Sequence, residues 1–397
     1  MANLFIFNPE HELALANNNE NFLPKQNIAK LKKDLQILPV WLQNKEQKTY
    51  LLDDYLDKKW EKVAQKLQLK YYCVDEIPYS KITSLNVWGW DKSIRKELIL
   101  SGIDKNILPS DEYLEDIREL SHRKIAVEAM SFLRNELKIN TLPYPAEILQ
   151  NSLEIENFAK KYSDIVLKSP FSSSGRGVYF SGKDLSNSIL GWCKKTIAQQ
   201  GCVLGEKRFE VVKNFAMEFE IVDNQTNFVG YSLFETDGKI YRSNFLTSDE
   251  KIEKIICNYG RSLSEIEALS QLLNAVKQTL IKFFNQKTAK KYSGFLGVDM
   301  FVFQENGKNF INPCVEINLR YTMGLAAHEF YKNFVSQNSE GIFSIDFYEN
   351  SAELYQNHKQ NLIDKPLIIK DNKIIKGYFS LCPIFENTNY RARVEIY

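Results

Sequence analysis

The sequence has no long hydrophobic run, no excess of charge of one sign and no paired cysteine motif. None of its apolar segments approaches 18 consecutive residues, so we expect no membrane span. Basic and acidic residues number 51 and 50, for a formal net charge of +1, which excludes the strong basic excess of general nucleic-acid binders. The six cysteines are dispersed without a CxxC pair, and this predicts neither a zinc site nor a disulfide framework.

The first residues also lack the basic segment and the cleavage-like site of a signal peptide. Together with the cysteine pattern, this predicts a cytoplasmic location. The remaining composition is that of an ordinary globular protein, with 44% hydrophobic and 25% charged residues. A chain of 397 residues is long enough for two or three domains with a well-buried core.

Strand-like and helix-like segments alternate through about residue 115. Residues 3–8 predict a buried strand, followed by a helix with Asn8 as N-cap and Pro9 at its first position. Residues 35–42 and 71–77 are further predicted strands, and the order of elements predicts an open α/β domain. From residue 206 onward, we predict strands with one helix near 262–290.

The segment IVLKSPFSSSGRGVYF, from Ile165 to Phe180, joins an apolar strand that ends in Lys168 to a loop of small residues. GVYFSGKD has the spacing of a Walker loop, and GRGVYF begins like a dinucleotide fingerprint, but both motifs fail because Asp184 and Phe180 occupy required positions. The serines and glycines still allow backbone N–H groups to approach an anion, and the lysine suits phosphate. Taken alone, the loop is equally well explained as a tight turn between two strands.

A second informative segment, residues 294–324, contains two apolar runs around Asn306-Gly307, the pattern of a two-residue hairpin loop. In the resulting register Asp299 faces Cys314. Directly opposed residues share a face of the sheet, as do residues two apart on one strand.

This register places Asp299, Glu316 and Asn318 on one face, and apolar residues, including Val315, on the other. Asp299 and Glu316 are then diagonal neighbours, roughly 7 Å apart at the backbone. Two carboxylates and an amide oxygen suit Mg²⁺ that bridges phosphates. The alternative is a set of ordinary solvent-facing polar residues, and Pro313 could impose a bulge that shifts the register.

The lysine strand with its loop, the acidic strand and the D…E-x-N pattern resemble the motifs of the ATP-grasp superfamily over about residues 120–325. The resemblance implies an α/β (α+β) chain with the ATP-grasp fold. It also implies an N-terminal open α/β (pre-ATP-grasp) domain at 1–118, a small lid subdomain at 119–205 and a large subdomain at 206–397. ATP and Mg²⁺, with Mn²⁺ as an alternative ion, are the implied cofactors.

The resemblance also implies how the chain contacts a nucleotide's phosphates. Lys124 and Lys168 match the two lysines that the family uses for the phosphates and the adenine. The loop with Ser173, Ser174 and Gly175 matches the flexible loop that closes over the terminal phosphates.

The adenine and the ribose have implied partners further along the chain. The segment CVLGEKRF resembles the family's hinge, in which Glu206 accepts from the adenine amino group and Arg208 and Phe209 meet the ring edge. Glu218 matches the ribose ligand of the next strand, with Glu220 as the alternative.

Asp299, Glu316 and Asn318 match the family's magnesium ligands. Arg320 completes E-x-N-x-R, which implies a position near the substrate carboxylate or acyl-phosphate and makes Arg320 and Lys168 the catalytic candidates. Gly297 stands where peptide-ligase members commonly have an arginine, so the dipeptide-ligase branch is a poor match.

The implied activity is an ADP-forming ligase that activates a carboxylate as an acyl-phosphate for attack by an amine or another nucleophile. A phosphotransferase acting on an alcohol and a nucleotide-binding sensor without turnover are the alternatives. The expected partners are small-molecule co-substrates and a second copy in a homodimer, with no nucleic acid and no membrane.

A few residues outside these motifs remain ambiguous. Glu10, His11 and Glu12 follow the first strand, where open α/β sheets bind ligands, but they also suit the first turn of a helix. His328 is close enough in sequence to reach the same cleft, or it is a partly buried helical histidine. The segment YRSNFL around Arg242 is a candidate lining of the acceptor pocket.

Overall fold

The computed structural model describes residues 2–43, 47–172, 177–238, 240–260 and 263–397. Its strands are β1 (Ala2–Ile6), β2 (Lys48–Leu52), β3 (Tyr71–Val74), β4 (Ser84–Val87), β5 (Glu147–Leu149), β6 (Asp164–Lys168), β7 (Val178–Gly182), β8 (Val203–Lys207), β9 (Glu210–Val222), β10 (Gln225–Asp237), β11 (Ile240–Leu246), β12 (Gly294–Glu305), β13 (Lys308–Asn318), β14 (Gly341–Phe347), β15 (Ile368–Lys370), β16 (Lys373–Ser380) and β17 (Tyr390–Ile396).

The α-helices are α1 (His11–Asn17), α2 (Gln26–Asp34), α3 (Lys58–Lys66), α4 (Lys92–Leu100), α5 (Asp111–Leu120), α6 (Lys124–Leu137), α7 (Ser152–Lys161), α8 (Asn187–Gln200), α9 (Asp249–Cys257), α10 (Leu263–Lys287), α11 (Met323–Phe334) and α12 (Ser351–Asp364). Short 3₁₀ helices span Leu38–Leu42, Asp53–Tyr55, Tyr79–Lys81 and Lys105–Ile107. Within the described ranges, no helix has the length and apolar character needed to cross a membrane.

The N-terminal part contains a four-stranded parallel sheet in the order β3-β2-β1-β4, which confirms the predicted open α/β arrangement. The strand predicted at 35–42 is wrong, because residues Leu38–Leu42 form a 3₁₀ helix that buries Trp41. Pro39 has no N–H for a strand ladder but suits the first turn of a helix.

The predicted N-cap Asn8 is also wrong, since α1 begins at His11 with Glu10 before it. The Asn8 side chain instead donates to the Gly89 carbonyl at 2.6 Å and accepts from the Gly89 N–H at 3.1 Å. Asn8 therefore ties the end of β1 to the segment after β4.

A second sheet of four antiparallel strands has the order β5-β8-β6-β7. One face is covered by α7 and α8 through buried residues such as Phe158 and Cys193. Lys168 ends β6 opposite Val178, so the serine- and glycine-rich segment joins two paired strands, as predicted.

The third sheet is antiparallel, with the order β13-β12-β9-β10-β11-β14-β17-β16-β15. The prediction of a single helix after residue 206 is wrong, because α9, α11 and α12 also lie there. The amphipathic helix α11 packs Phe330 and Phe334 against Trp41 of the N-terminal part. These helices cover the sheet, whose apolar faces need partners.

Core packing cuts across two of the predicted domain limits. The buried face of α6, with Ile125 and Leu133, belongs to the core of the large sheet rather than to the small sheet. The predicted limit between residues 205 and 206 falls inside β8, and the N-terminal Trp60 shares a core with Val394 near the other end of the chain. The division into three domains stays a prediction.

Candidate functional site

A cavity of about 380 Å³ lies between the small antiparallel sheet and the large sheet. Many of the predicted site residues line it: Lys168, Glu206, Arg208, Phe209, Glu218, Asp299, Glu316, Asn318 and Arg320. Lys124 is absent from its lining. Ser173, Ser174 and Gly175 lie outside the described residues, so their predicted contacts stay predictions.

The hairpin that carries the acidic residues turns at Asn306 and Gly307, with φ of 49° and 72°. Positive φ at both loop positions is what a type I′ turn requires, and Asn-Gly adopts it readily. The predicted pairing holds from Glu305 opposite Lys308 to Phe301 opposite Asn312.

Beyond Phe301, the register shifts by two residues, and the predicted pairing of Asp299 with Cys314 is wrong. Asp299 lies directly opposite Glu316, not diagonal to it. Pro313, which has no N–H for the ladder, lies in the irregular segment. Because the shift is an even number of residues, both carboxylates stay on one face, as the alternation predicted.

The irregular segment also corrects the prediction for Val315. This residue was expected on the apolar core face, but it lines the cavity, while Cys314 is buried in the core. The cavity therefore has an apolar wall next to its carboxylates.

Asp299 and Glu316 form an acidic pair whose negative charge is only partly compensated by neighbouring groups. Burial raises the pKa of Asp299 to about 7, and the negative charges of Glu316 and Glu218 contribute further. The Asn318 amide donates to Asp299 Oδ2 at 3.2 Å. A directly opposed carboxylate pair of this kind favours a cation as partner.

In the part of the chain that the structure describes, no group of three or more His, Cys, Asp or Glu side chains is arranged to hold a metal. Mg²⁺ does not need such a group, since it commonly uses one or two carboxylates together with substrate phosphates. The opposed carboxylates of Asp299 and Glu316, with Asn318 beside them, therefore fit a magnesium ion better than a zinc ion.

Arg123 is a cavity residue that the sequence interpretation missed. Its guanidinium donates to Glu316 Oε1 at 2.6 Å, to Ser172 Oγ at 2.7 Å and to the Ser169 carbonyl. The residue is only 6% exposed. It thus links the start of the loop after β6 to the acidic pair.

Lys124, the residue predicted at this place, points elsewhere: its Nζ donates to Glu119 at 3.4 Å near the surface. Successive residues at a helix start differ by about 100° in direction, so Arg123 and Lys124 do not face the same cavity. The only sequence signal for Arg123 is its place beside Lys124 in SHRK.

Lys168 and Glu206 form a two-oxygen ion pair inside the cavity. The Lys168 ammonium donates to both carboxylate oxygens, at 2.7 and 2.8 Å. The paired strands β6 and β8 bring the two residues together, with Glu206 opposite Val166. In this structure Glu206 therefore holds the lysine in place.

The two hinge residues after β8 are part of the cavity lining. The Arg208 guanidinium stacks 4.9 Å from the Phe180 ring, and the Phe209 ring lies 4.4 Å from Phe303. Flat apolar surfaces next to a cation suit an aromatic base.

Glu218 is 1% exposed and accepts hydrogen bonds from Ser232 at 3.1 Å and from Thr322 at 3.0 Å. Burial raises its pKa to about 7, against the opposing effect of these two hydroxyls. Thr322 is also the N-cap of α11, so Glu218 fixes the start of that helix. Glu220, the alternative, is absent from the cavity lining.

Arg320 is held by three acceptors: the Glu12 carboxylate, the Tyr321 carbonyl at 2.9 Å and Asn318 Oδ1 at 3.2 Å. Burial opposes its charged form, but Glu12 outweighs this and raises the pKa of Arg320. Glu12 thus brings α1 of the N-terminal part next to the acidic pair.

The other ambiguous residues take structural positions. His11 is 1% exposed, packs against Gly89 and lies 3.6 Å from Asp91. His328 lies on α11 between Asp249 and Glu329, outside the cavity lining.

No protein-family model matches the chain, and no curated protein matches it. Among solved structures, it is similar to the N5-carboxyaminoimidazole ribonucleotide synthetase from Thermus thermophilus, at 10% identity and a TM-score of 0.50, covering 100% of this chain and 93% of that chain. The biotin carboxylase from Campylobacter jejuni gives 12% identity and a TM-score of 0.49, covering 100% of this chain and 87% of that chain. The N5-carboxyaminoimidazole synthetase from Staphylococcus aureus, complexed with ADP, gives 14% identity and a TM-score of 0.46, covering 88% of this chain and 93% of that chain.

At this level of identity, a structural match establishes the fold alone. The match to the Thermus thermophilus enzyme spans this whole chain and nearly the whole of that one. Its extent agrees with the arrangement described above, a parallel N-terminal sheet followed by a small and a large antiparallel sheet around one cleft. The chain therefore has the ATP-grasp fold.

Proposed function

We propose that this chain is an ATP- and Mg²⁺-dependent ligase that activates a carboxylate as an acyl-phosphate for attack by an amine or another nucleophile, with release of ADP. The observation that carries the proposal is the meeting of Asp299, Glu316 and Asn318 with Lys168 and Arg123 in one cleft. Acidic metal ligands facing cationic groups are what phosphoryl transfer requires.

The nucleotide is proposed to lie between the small and the large sheet. The hinge residues Glu206, Arg208 and Phe209 line the cavity together with the aromatic rings of Phe180 and Phe301, which suits the adenine. Glu218 is the proposed partner of the ribose side, because it borders the same cavity. The loop with Ser173, Ser174 and Gly175 stays in the proposal as a phosphate contact, while Arg123 takes the place in the cleft that the resemblance gives to Lys124.

Asp299, Glu316 and Asn318 would hold Mg²⁺, with Mn²⁺ as the alternative ion. When bound, the ion would offset negative charge on the transferring phosphoryl group. The carboxylates are placed for this by adjacent antiparallel strands, so little reorganisation is needed.

The chain's own cations orient the reacting groups. Lys168 and Arg123 contribute positive charge at the cavity wall, where a water-poor setting strengthens each interaction. Arg320, held in place by Glu12, is the proposed contact of the substrate carboxylate. Closure of the site would keep water from hydrolysing the acyl-phosphate.

The proposal is tested by measuring ADP and phosphate release over pooled carboxylates and amines in the presence of Mg²⁺. Release of both products should need both co-substrates, and Lys168→Ala and Glu316→Gln should abolish it. Lys161→Ala is the matched control, because Lys161 is an exposed lysine of the same small-sheet region, paired with Glu147.

The alternatives give different products in the same assay. ADP with a phosphorylated alcohol and no free phosphate would indicate a phosphotransferase, and nucleotide binding without turnover would indicate a sensor. Turnover by Lys168→Ala or Glu316→Gln at the parent rate would show that the site is assigned wrongly.

We also propose a homodimer, and a cytoplasmic location, which the dispersed cysteines favour. Sedimentation equilibrium of the purified chain over a range of concentrations measures the first, and a monomer at all concentrations would contradict it. Fractionation of the source cells measures the second.

A further inference from the structure

The cavity continues beyond the acidic pair into a region that the proposed nucleotide contacts do not use. We call it the distal pocket, and its walls are Ser232, Phe234, Thr236, Tyr241, Asn244 and Met323. The strand order β12-β9-β10-β11 puts β11, with Asn244, three strands from Asp299. At about 4.8 Å per strand, this is about 14 Å across the sheet.

Most polar side chains of the distal pocket satisfy one another or a close neighbour. The Ser232 hydroxyl donates to Glu218 at 3.1 Å, and Asn214 Nδ2 donates to Thr236 at 3.5 Å. The Tyr241 hydroxyl donates to Asn244 Oδ1 at 2.5 Å.

Asn244 Nδ2 is the exception. The residue is 1% exposed, and its amide nitrogen has no hydrogen-bond partner in the described part of the chain. Leaving a buried donor unsatisfied costs about 1–3 kcal/mol. Asn244 borders the cavity, and an acceptor atom of a bound molecule that reached Nδ2 would remove this cost.

The six described side chains that form the walls of the distal pocket carry no charge. Two charged groups of the neighbouring cavity wall are already engaged: Glu218 with Ser232 and Thr322, and Arg320 with Glu12. A charged group placed beside Phe234 and Met323 would lose its hydration without gaining a counter-ion, which is costly.

We propose that the distal pocket binds an uncharged, partly apolar portion of the co-substrate through a neutral oxygen, such as a carbonyl, that accepts a hydrogen bond from Asn244 Nδ2. The inference rests on the proposed function, since it names what the same cleft selects. It also gives a specific role to the segment YRSNFL, which contains both Tyr241 and Asn244.

Three probes of one shape and different charge test the inference: benzamide, benzoate and benzylammonium. Their dissociation constants are measured by ligand-observed NMR on the full chain, with and without Mg·ADP. Benzamide should bind most tightly, because it alone offers a carbonyl without charge.

Two substitutions at Asn244 should change the affinity for the three probes in different ways. Asn244→Leu should weaken benzamide about three- to tenfold, the range of one hydrogen bond. Asn244→Asp keeps the shape, removes the donor and should move the preference toward benzylammonium. Asn309→Leu is the matched control, since the Asn309 amide already donates to the Tyr259 carbonyl at 2.8 Å and lies outside the cavity lining, and benzamide binding should change by less than about twofold.

Tighter binding of benzoate or benzylammonium than of benzamide to the parent chain would overturn the inference, as would no binding of benzamide. Equal effects of Asn244→Leu and Asn309→Leu would do the same. Mg·ADP affinity separates the two proposals: if Mg·ADP fails to bind the parent chain, the proposed function fails. If Mg·ADP binds and the dissociation constant of benzamide does not change when Asn244 is substituted, only the distal-pocket inference fails.

Discussion

Replacing Arg123 and Lys124 one at a time tests which of the two residues contacts the phosphates. The structure places Arg123 in the cleft and Lys124 beside Glu119, whereas the sequence motif indicates Lys124 as the phosphate contact. The two test variants are Arg123→Met and Lys124→Met, which remove the charge and keep most of the side-chain length.

The expected magnitudes differ because the environments differ. A hydrogen bond to a charged partner contributes roughly 1.5–3 kcal/mol, so loss of Arg123 should weaken Mg·ADP binding about 10- to 150-fold. An exposed ion pair such as Lys124–Glu119 contributes about 0–1 kcal/mol. Lys124→Met should therefore change the affinity less than about fivefold.

Isothermal titration calorimetry with Mg·ADP measures both affinities, and urea unfolding measures both stabilities. Arg123 also holds Ser169 and Ser172, so Arg123→Lys is included to retain the charge without the planar fork. It should give an intermediate affinity, because an ammonium cannot contact Glu316 and the loop with the same geometry. A larger loss in Lys124→Met than in Arg123→Met would refute the reasoning and restore the motif-based assignment.

Titration, glycine replacement and core truncation give three more tests, all read by urea unfolding. Burial would lower the pKa of His328, but its two acidic neighbours raise the pKa from 6.5 to about 9. The charged form of His328 therefore stabilises the fold fully below about pH 6.5, and this stability is lost as the pH rises through about 9. Compared with His328→Gln, the parent should lose up to about 3 kcal/mol over this window, and parallel pH profiles would contradict this. Gly324→Ala places a Cβ 2.3 Å from Glu218 and should cost about 1–3 kcal/mol, whereas Gly191→Ala, with open space around it on a helix, should stabilise by about 0.5–1 kcal/mol. Trp41→Ala should cost about 3–5 kcal/mol, and a loss below about 1 kcal/mol would show that the core it joins is not shared.

The hairpin shows how far alternation alone can predict a site. Asn306-Gly307 fixed the turn, and period-two alternation placed Asp299 and Glu316 on one face. The two-residue shift at Pro313 changed which residue opposes which but not the face, since an even shift preserves it. Asp299 lies directly opposite Glu316, and not diagonal to it, because of the backbone irregularity near Pro313. The spacing of residues in the sequence does not specify such an irregularity.

Arg123 could not be predicted in this way, because the direction of a side chain at the first turn of a helix depends on how that helix docks. α6 docks on the large sheet through Ile125 and Leu133, and this leaves Arg123 facing the cavity. The prediction of strands after residue 206 omitted α11, apart from the helical alternative for His328, because the apolar residues of this segment suit a buried strand as well as a helix with one buried face. Tertiary contacts decide between the two.

Charge balance connects these observations. Three cations that line the cleft are each paired with a carboxylate, in the pairs Arg123–Glu316, Lys168–Glu206 and Arg320–Glu12. A polyphosphate entering such a cleft adds negative charge beside carboxylates, while a divalent cation at the acidic pair adds positive charge. Under the proposed function, either alone would unbalance the cleft and both together would restore the balance, because the ion would compensate the acidic pair when Arg123 turned from Glu316 to the phosphates. The proposed coupling depends on pairs that join the start of α6 to β13, β6 to β8 and α1 to the end of β13, so it resides in the assembled fold and not in any one motif.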